Sequence, residues 1–150
     1  MMELVNQFSV FLVNKPGVLA QVTRHIAQEK LNIIAMTMSD SSEHGVLRLV
    51  TTDGTRIRKA MASLNLPVTE TEVLLITLPN RPGALAEVCQ KLADAHINIS
   101  YAYCTTGARG GKTTGVFKVA DVKKAMRILK DKLPKTRDDK KRIRHHVATR

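Results

Sequence analysis

Hydrophobic and polar positions change period several times along the chain, and the changes come in the same order twice. Residues 7–13 (Gln-Phe-Ser-Val-Phe-Leu-Val) are rich in β-branched and aromatic side chains and run into Asn14-Lys15-Pro16-Gly17, which predicts a buried strand entering a sharp turn. From 17 to 29 the period becomes helical, with Leu19, Val22, Ile26 and Ala27 on one face. Residues 32–39 return to a strand, 40–44 form a polar connection, and 45–52 make a third strand hairpinned to the second. A second amphipathic helix spans 55–64, and 67–71 lead into a closing extended piece. The plan then restarts, with a strand at 73–78, a helix at 83–95 whose Leu85, Val88, Cys89 and Leu92 point inward, strands at 98–105 and 115–119, and a helix at 121–132. Strand, helix, strand, strand, helix, strand is the split β-α-β unit of ferredoxin-like folds.

The two halves are copies. Asn14-Lys15-Pro16-Gly17-Val18-Leu19-Ala20 returns 66 residues later as Asn80-Arg81-Pro82-Gly83-Ala84-Leu85-Ala86, and Asn32-Ile33 returns as Asn98-Ile99. Nine of the twenty positions from 14 to 33 are identical in the second copy, an internal repeat at one fixed offset. The function is therefore one that a duplicated unit performs. Three bodies are expected: a first module at 1–70, a second at 71–133, and a basic tail at 134–150. After Leu133 the second copy lacks a clear last strand, and residues 143–147 are the one candidate.

Charge and composition narrow the picture. The chain carries a formal +11, of which +5 lies in residues 134–150. Such a tail is read first as a solvated end and second as a phosphate-contacting arm, so nucleic-acid binding through the tail is an alternative reading and not the favoured one. No apolar run reaches the ~18 residues of a membrane helix, and the N-terminus has no basic region ahead of an apolar segment. Cys89 and Cys104 form no disulfide framework, which suits a reducing cytoplasm.

The repeated corner has a definite chemistry. Pro and Gly force a sharp entry into a helix whose first N–H groups lack intrahelical partners and sit at the positive end of its dipole. A small carboxylate is welcome there. The dipole contributes only about 0.3–1 kcal/mol when exposed, so other groups must add donors and acceptors. Asn14 with Asn32, and Asn80 with Asn98, carry both kinds, and each pair is expected to lie side by side at one edge of the sheet. The alternative is that Asn14 caps a turn and Asn32 ends a helix, where Asn tolerates left-handed geometry.

Asn-Lys/Arg-Pro-Gly-x-Leu-Ala, an apolar helix, then Asn-Ile opening a strand resembles the ACT domain, and the whole chain resembles a stand-alone tandem ACT protein. The resemblance implies an α+β fold of two β-α-β-β-α-β modules pairing into one mainly antiparallel sheet with helices on one face. It also implies amino-acid binding at the interface between paired modules. Carried over, the binding residues are Asn14, Lys15, Pro16, Gly17, Val18, Leu19, Asn32 and Ile33 in the first copy. In the second they are Asn80, Arg81, Pro82, Gly83, Ala84, Leu85, Asn98 and Ile99. The expected role is a regulatory protein that binds an amino acid, works as a homodimer or with a partner enzyme, and uses no cofactor or metal. A regulatory subunit of a biosynthetic enzyme such as acetohydroxyacid synthase is the alternative.

Other motifs fall away. Gly107-Ala108-Arg109-Gly110-Gly111-Lys112-Thr113 has Thr106 where a nucleotide-binding loop needs its first Gly, and it leads into a strand rather than a helix. An RNA-binding sheet needs exposed aromatics on central strands, and Phe117, Tyr101 and Tyr103 do not make that set. His25, His44, His96, His145 and His146 have no ligand or base partners in sequence, and no nucleophile–base or carboxylate pair is visible. The sequence reads as a non-enzyme.

Overall fold

The computed structural model describes residues 1–40, 44–106, 111–130 and 133–134. In chain order these form β1 (Met2–Val13), α1 (Val18–Gln28), β2 (Ile33–Asp40), β3 (His44–Thr51), α2 (Gly54–Ser63), β4 (Val68–Pro79), α3 (Ala84–Asp94), β5 (Ile99–Thr106), β6 (Lys112–Val119) and α4 (Val122–Leu129). The six strands are ordered β2-β3-β1-β4-β6-β5 in one sheet. The pairs β1–β3, β2–β3, β4–β6 and β5–β6 are antiparallel. This is the duplicated ferredoxin-like architecture that the alternating periods predict.

The chain divides into two compact units, Val5–Glu72 and a second made of Met1–Leu4 with Val73–Arg150. In the first, Phe8, Val10 and Leu12 alternate along β1 toward α1 and α2, where they meet Leu47, Leu49, Val22, Ile26, Ile57 and Met61 in one buried cluster. Period two on the strand and period 3.6 on the helices place those side chains on facing surfaces. Asp53 starts α2 by accepting hydrogen bonds from the Thr55 and Arg56 amides at 2.9 and 3.1 Å. The second unit repeats the plan with Leu74, Ile76, Leu78, Val88, Leu92, Phe117, Ala125 and Leu129. There Asp121 caps α4 by accepting from the Lys124 amide at 2.9 Å.

The two closing strands arise in an unexpected way. β4 is one continuous strand, so residues read as the end of one copy and the start of the next share it. In the first unit the Phe11 amide donates to the Pro67 carbonyl at 3.2 Å. Thr77, its repeat mate in the second unit, donates to the Met1 carbonyl at 2.8 Å. Met2 packs against the second core. Residues from the start of the chain thus pack where a last strand of the second copy was expected. β1 accordingly begins five residues before the strand expected at 7. Residues 143–147, the rest of the tail from 135 on, and the glycine-rich stretch 107–110 lie outside the described residues.

Two helical positions face the other way from the sequence expectation. Ala27 is exposed, and Leu85 is 44% exposed while its neighbour Ala84 is buried. On both helices the apolar stripe is wider than the strip that is buried, which takes Ile26 and Ala84 and leaves their neighbours out. Among the described residues no helix is long and apolar enough to cross a membrane.

Candidate functional site

The two corners are built alike from the backbone upward. Gly17 and Gly83 have φ of 86° and 85°, the left-handed region that costs an L-residue about 1–2 kcal/mol. A Cβ on Gly17 would meet nothing within 4 Å, so glycine is required there by the chain's direction and not by crowding. Lys15 and Arg81 donate their amides back to Val13 and Pro79 at 3.0 and 2.9 Å. Gln21 and Glu87 donate to the Gly17 and Gly83 carbonyls at 2.9 Å each. The N-cap residues of α1 and α3 are Gly17 and Gly83, which offer no side chain to the helix, and the first amides, of Val18 and Ala84, donate back to the Lys15 and Arg81 carbonyls at 3.4 and 3.3 Å. Each corner therefore opens on a helical turn that its own N-cap residue leaves uncapped. Lys15, Pro16, Arg81 and Pro82 are exposed on the approach, and Val18 and Leu19 are half-buried behind it.

The asparagines do not lie as the sequence reading placed them. Val13 pairs with His44 and Ile33 with Thr51, at opposite ends of β3. At ~3.3 Å per residue, Asn14 and Asn32, each one residue further out, are roughly 30 Å apart along the strand direction. The second module is the same, with Pro79 beside Lys112 and Ile99 beside Val119. β1 and β2 are both antiparallel to the strand between them, hence parallel to each other. The end of one parallel strand sits beside the end of its neighbour, never beside its start. Each module thus has two separate half-sites, Asn14 or Asn80 at one end and Asn32-Ile33 or Asn98-Ile99 at the other.

The helix-ending alternative for Asn32 and Asn98 is also resolved. The left-handed residues after α1 and α3 are Lys30 and His96, each with φ 54°. Asn32 and Asn98 stand exposed two residues further on, while Ile33 and Ile99 anchor them to their cores. An open hollow of about 440 Å³ lies beside Asn98, edged by Cys89, His96 and Ile97.

The modules differ at the first half-site. In the second a pocket of about 190 Å³ opens between Leu78, Asn80, Arg81, Cys104 and Thr113, with Ala84 and Leu85 at the start of α3. Asn80 is half-buried, its amide donating to the Gly111 carbonyl at 2.8 Å, whereas Asn14 is exposed. Arg81 is held by Glu87 at 2.6 Å. Thr113 is 8% exposed, and its Oγ1 is buried with no hydrogen-bond partner among the described residues. An unpaired buried hydroxyl costs about 1–3 kcal/mol, and native structures rarely carry one without a reason. In the first module Gly45 occupies the position of Thr113, since each lies opposite the repeated Leu12 or Leu78. A Cβ on Gly45 would come 2.7 Å from the Met38 Cε. Met38 repeats as Cys104, so the side chain that covers this spot in one module is a short thiol in the other.

Neither Thr113 nor Cys104 stands out in a search for identities. The signal was available in the positions where the repeat breaks, Gly45 against Thr113 and Met38 against Cys104, but it needs the strand register to be read. Burial pushes the Cys104 thiol above its ordinary range, and the neighbouring Cys89 adds to that shift. His25 pairs its Nε2 with the Ser63 hydroxyl at 2.7 Å, tying α1 to α2. Among the described residues no three His, Cys, Asp or Glu side chains gather into a metal-binding group.

A duplicated β-α-β-β-α-β chain with matching uncapped helix starts defines the class, a tandem ferredoxin-like module pair. The chain belongs to the ACT domain pair family, whose model matches residues 2–142. It is similar to the crystal structure of protein BT0572 from Bacteroides thetaiotaomicron, at 32% identity and TM-score 0.80 over 87% of this chain and 90% of that one. The fold is shared with the ligand-free regulatory subunit of aspartate kinase from Thermus thermophilus, at 13% identity and TM-score 0.65, covering 88% and 95% of the two chains. It is shared also with the corresponding subunit from Thermus flavus, at 15% identity and TM-score 0.59, over 87% and 94%. A search of curated proteins gave no match.

Proposed function

We propose that this chain is a non-catalytic regulatory protein that binds a small amino acid between modules of paired chains and reports its occupancy through that pairing. The observation that carries the reading is the separation of the two half-sites within each module. A zwitterion cannot bridge roughly 30 Å, so neither module completes a site from its own asparagines. Among the described residues β2 and β5 are the outer strands of the sheet order. Antiparallel pairing of such an edge with that of a second copy inverts the partner. The start of β2 or β5, with its exposed Asn, then comes level with the glycine corner of the other chain. Carboxylate to helix amides and ammonium to asparagine oxygens is the complementary chemistry. Regulatory subunits of aspartate kinase share the fold, which supports a role in controlling an enzyme of amino-acid metabolism. A ligand bound at such an interface favours the paired state by its differential affinity for it.

The test is a thermal-shift panel of the standard amino acids with sedimentation of the same samples. An occupant at a hundred times its dissociation constant adds about 2.7 kcal/mol. For a chain of this size that raises Tm by roughly 5–10 °C. Asn80→Ala and Asn98→Ala should each shrink the shift and leave the unliganded Tm in place. A flat panel refutes the proposal, and so does a hit that survives both substitutions.

A further inference from the structure

The two modules are not equivalent receptors. We infer that the chain takes one amino acid per copy, at the second module's corner, with the Thr113 hydroxyl as a hydrogen-bond partner of the ligand, and that Met38 closes the matching place in the first module. The inference rests on the amino-acid-binding reading above and adds which corner is used and what it selects.

Two differences between the modules, beside a pocket in the second, point the same way. The pocket of about 190 Å³ beside α3 is walled by Leu78 and Cys104 and reaches the Thr113 side chain. Thr113 is more than nine-tenths buried and its Oγ1 is unpartnered behind the pocket wall that the residue helps to form. Buried polar groups are almost always paired, and a turn of this side chain about χ1 would present the hydroxyl to what fills the hollow. In the first module the hydroxyl is missing because the position is Gly45, and the Met38 methyl lies where a side chain there would go. The Asn80 side chain is half-buried, where Asn14 stands in solvent. A half-buried side chain has less rotamer freedom to lose on binding than an exposed one.

The chemistry of the occupant follows from the walls. The uncapped first turn of α3 takes the carboxylate, and Thr113, able both to donate and to accept, takes a polar atom of the ligand. Leu78, Leu85 and Cys104 offer apolar and thiol surface to its side chain. A volume of about 190 Å³ is on the scale of cavities that take one small organic molecule, room for a single amino acid. Arg81 is engaged by Glu87 and is not assigned to the carboxylate.

The experiment uses the full chain labelled with ¹⁵N and titrated with each standard amino acid, with calorimetric stoichiometry for any that binds. The expected result is one equivalent per chain and amide shifts centred on residues 80–85, Cys104 and Thr113. Thr113→Val removes the hydroxyl without changing shape. It should weaken binding at least tenfold while the unliganded Tm holds or rises, since the buried orphan is gone. Cys104→Met, which copies the first module's closure, should abolish binding. Two equivalents per chain, shifts centred on residues 14–19, or Thr113→Val binding as tightly as the parent chain would each overturn this inference and leave amino-acid binding standing. A lowered unliganded Tm in Thr113→Val with unchanged affinity would make the hydroxyl structural and also overturn it. No response to any amino acid overturns the inference together with the reading it rests on.

Discussion

Removing Met2, Glu3 and Leu4, so that Met1 precedes Val5, should weaken the second module far more than the first, although the deleted residues lie some seventy positions from it. The deletion breaks the 2.8 Å bond from the Thr77 amide to the Met1 carbonyl, worth about 1 kcal/mol net. It also takes Met2 off the second core. Full burial of such a side chain contributes about 1.5–3 kcal/mol, and Met2 is half-buried, so about 1 kcal/mol more is lost. The sum, about 2 kcal/mol, corresponds to a Tm fall of roughly 8–16 °C for a unit of 60–100 residues that melts on its own. Native-state hydrogen exchange resolves where the loss falls. Amides in α3, in β6 and in β4 beyond Val73 should lose about thirtyfold protection, while those of Leu49, Ile57 and Met61 keep theirs. Equal losses in both units, or no loss in either, would refute the idea that the chain's first residues complete the second module.

Two further outcomes follow from the corners. Gly17→Ala and Gly83→Ala should each cost about 1–2 kcal/mol, a Tm fall of roughly 4–16 °C in the unit that carries it, because both residues sit at positive φ and neither is crowded. Differential scanning calorimetry checks this, and a change under half a degree in either variant would mean that the turn relaxes to another shape. Cys104 should alkylate with iodoacetamide more slowly than a free cysteine at pH 8 although it is exposed, since a raised pKa lowers its thiolate fraction. Replacing Cys89 by Ser should recover part of the rate, and alkylation faster than that of the free thiol would contradict the shift.

The sequence by itself determined what is local or repeated. Alternation in Phe8, Val10 and Leu12, helical spacing in Val22 and Ile26, and the Pro-Gly corners are short-range consequences of strand pleat, helix pitch and allowed φ, so they could be read without knowing what packs on what. Identity at a fixed offset gave the duplication, and with it the family. Tertiary structure alone decided the rest. That Asn14 and Asn32 lie at opposite ends of a module depends on β3 being inserted between their strands, a matter of order in the sheet and not of spacing in the chain. That the second module borrows its closing residues from Met1 and Met2 depends on which backbone edge is left open once β4 and β6 have paired. The pocket at Thr113 depends on strand register placing a threonine and a thiol where the first copy has a glycine and a methionine. Hydrogen-bonded neighbours in a sheet are chosen by long-range closure, and the chemistry of a corner is set by those neighbours as much as by its own residues.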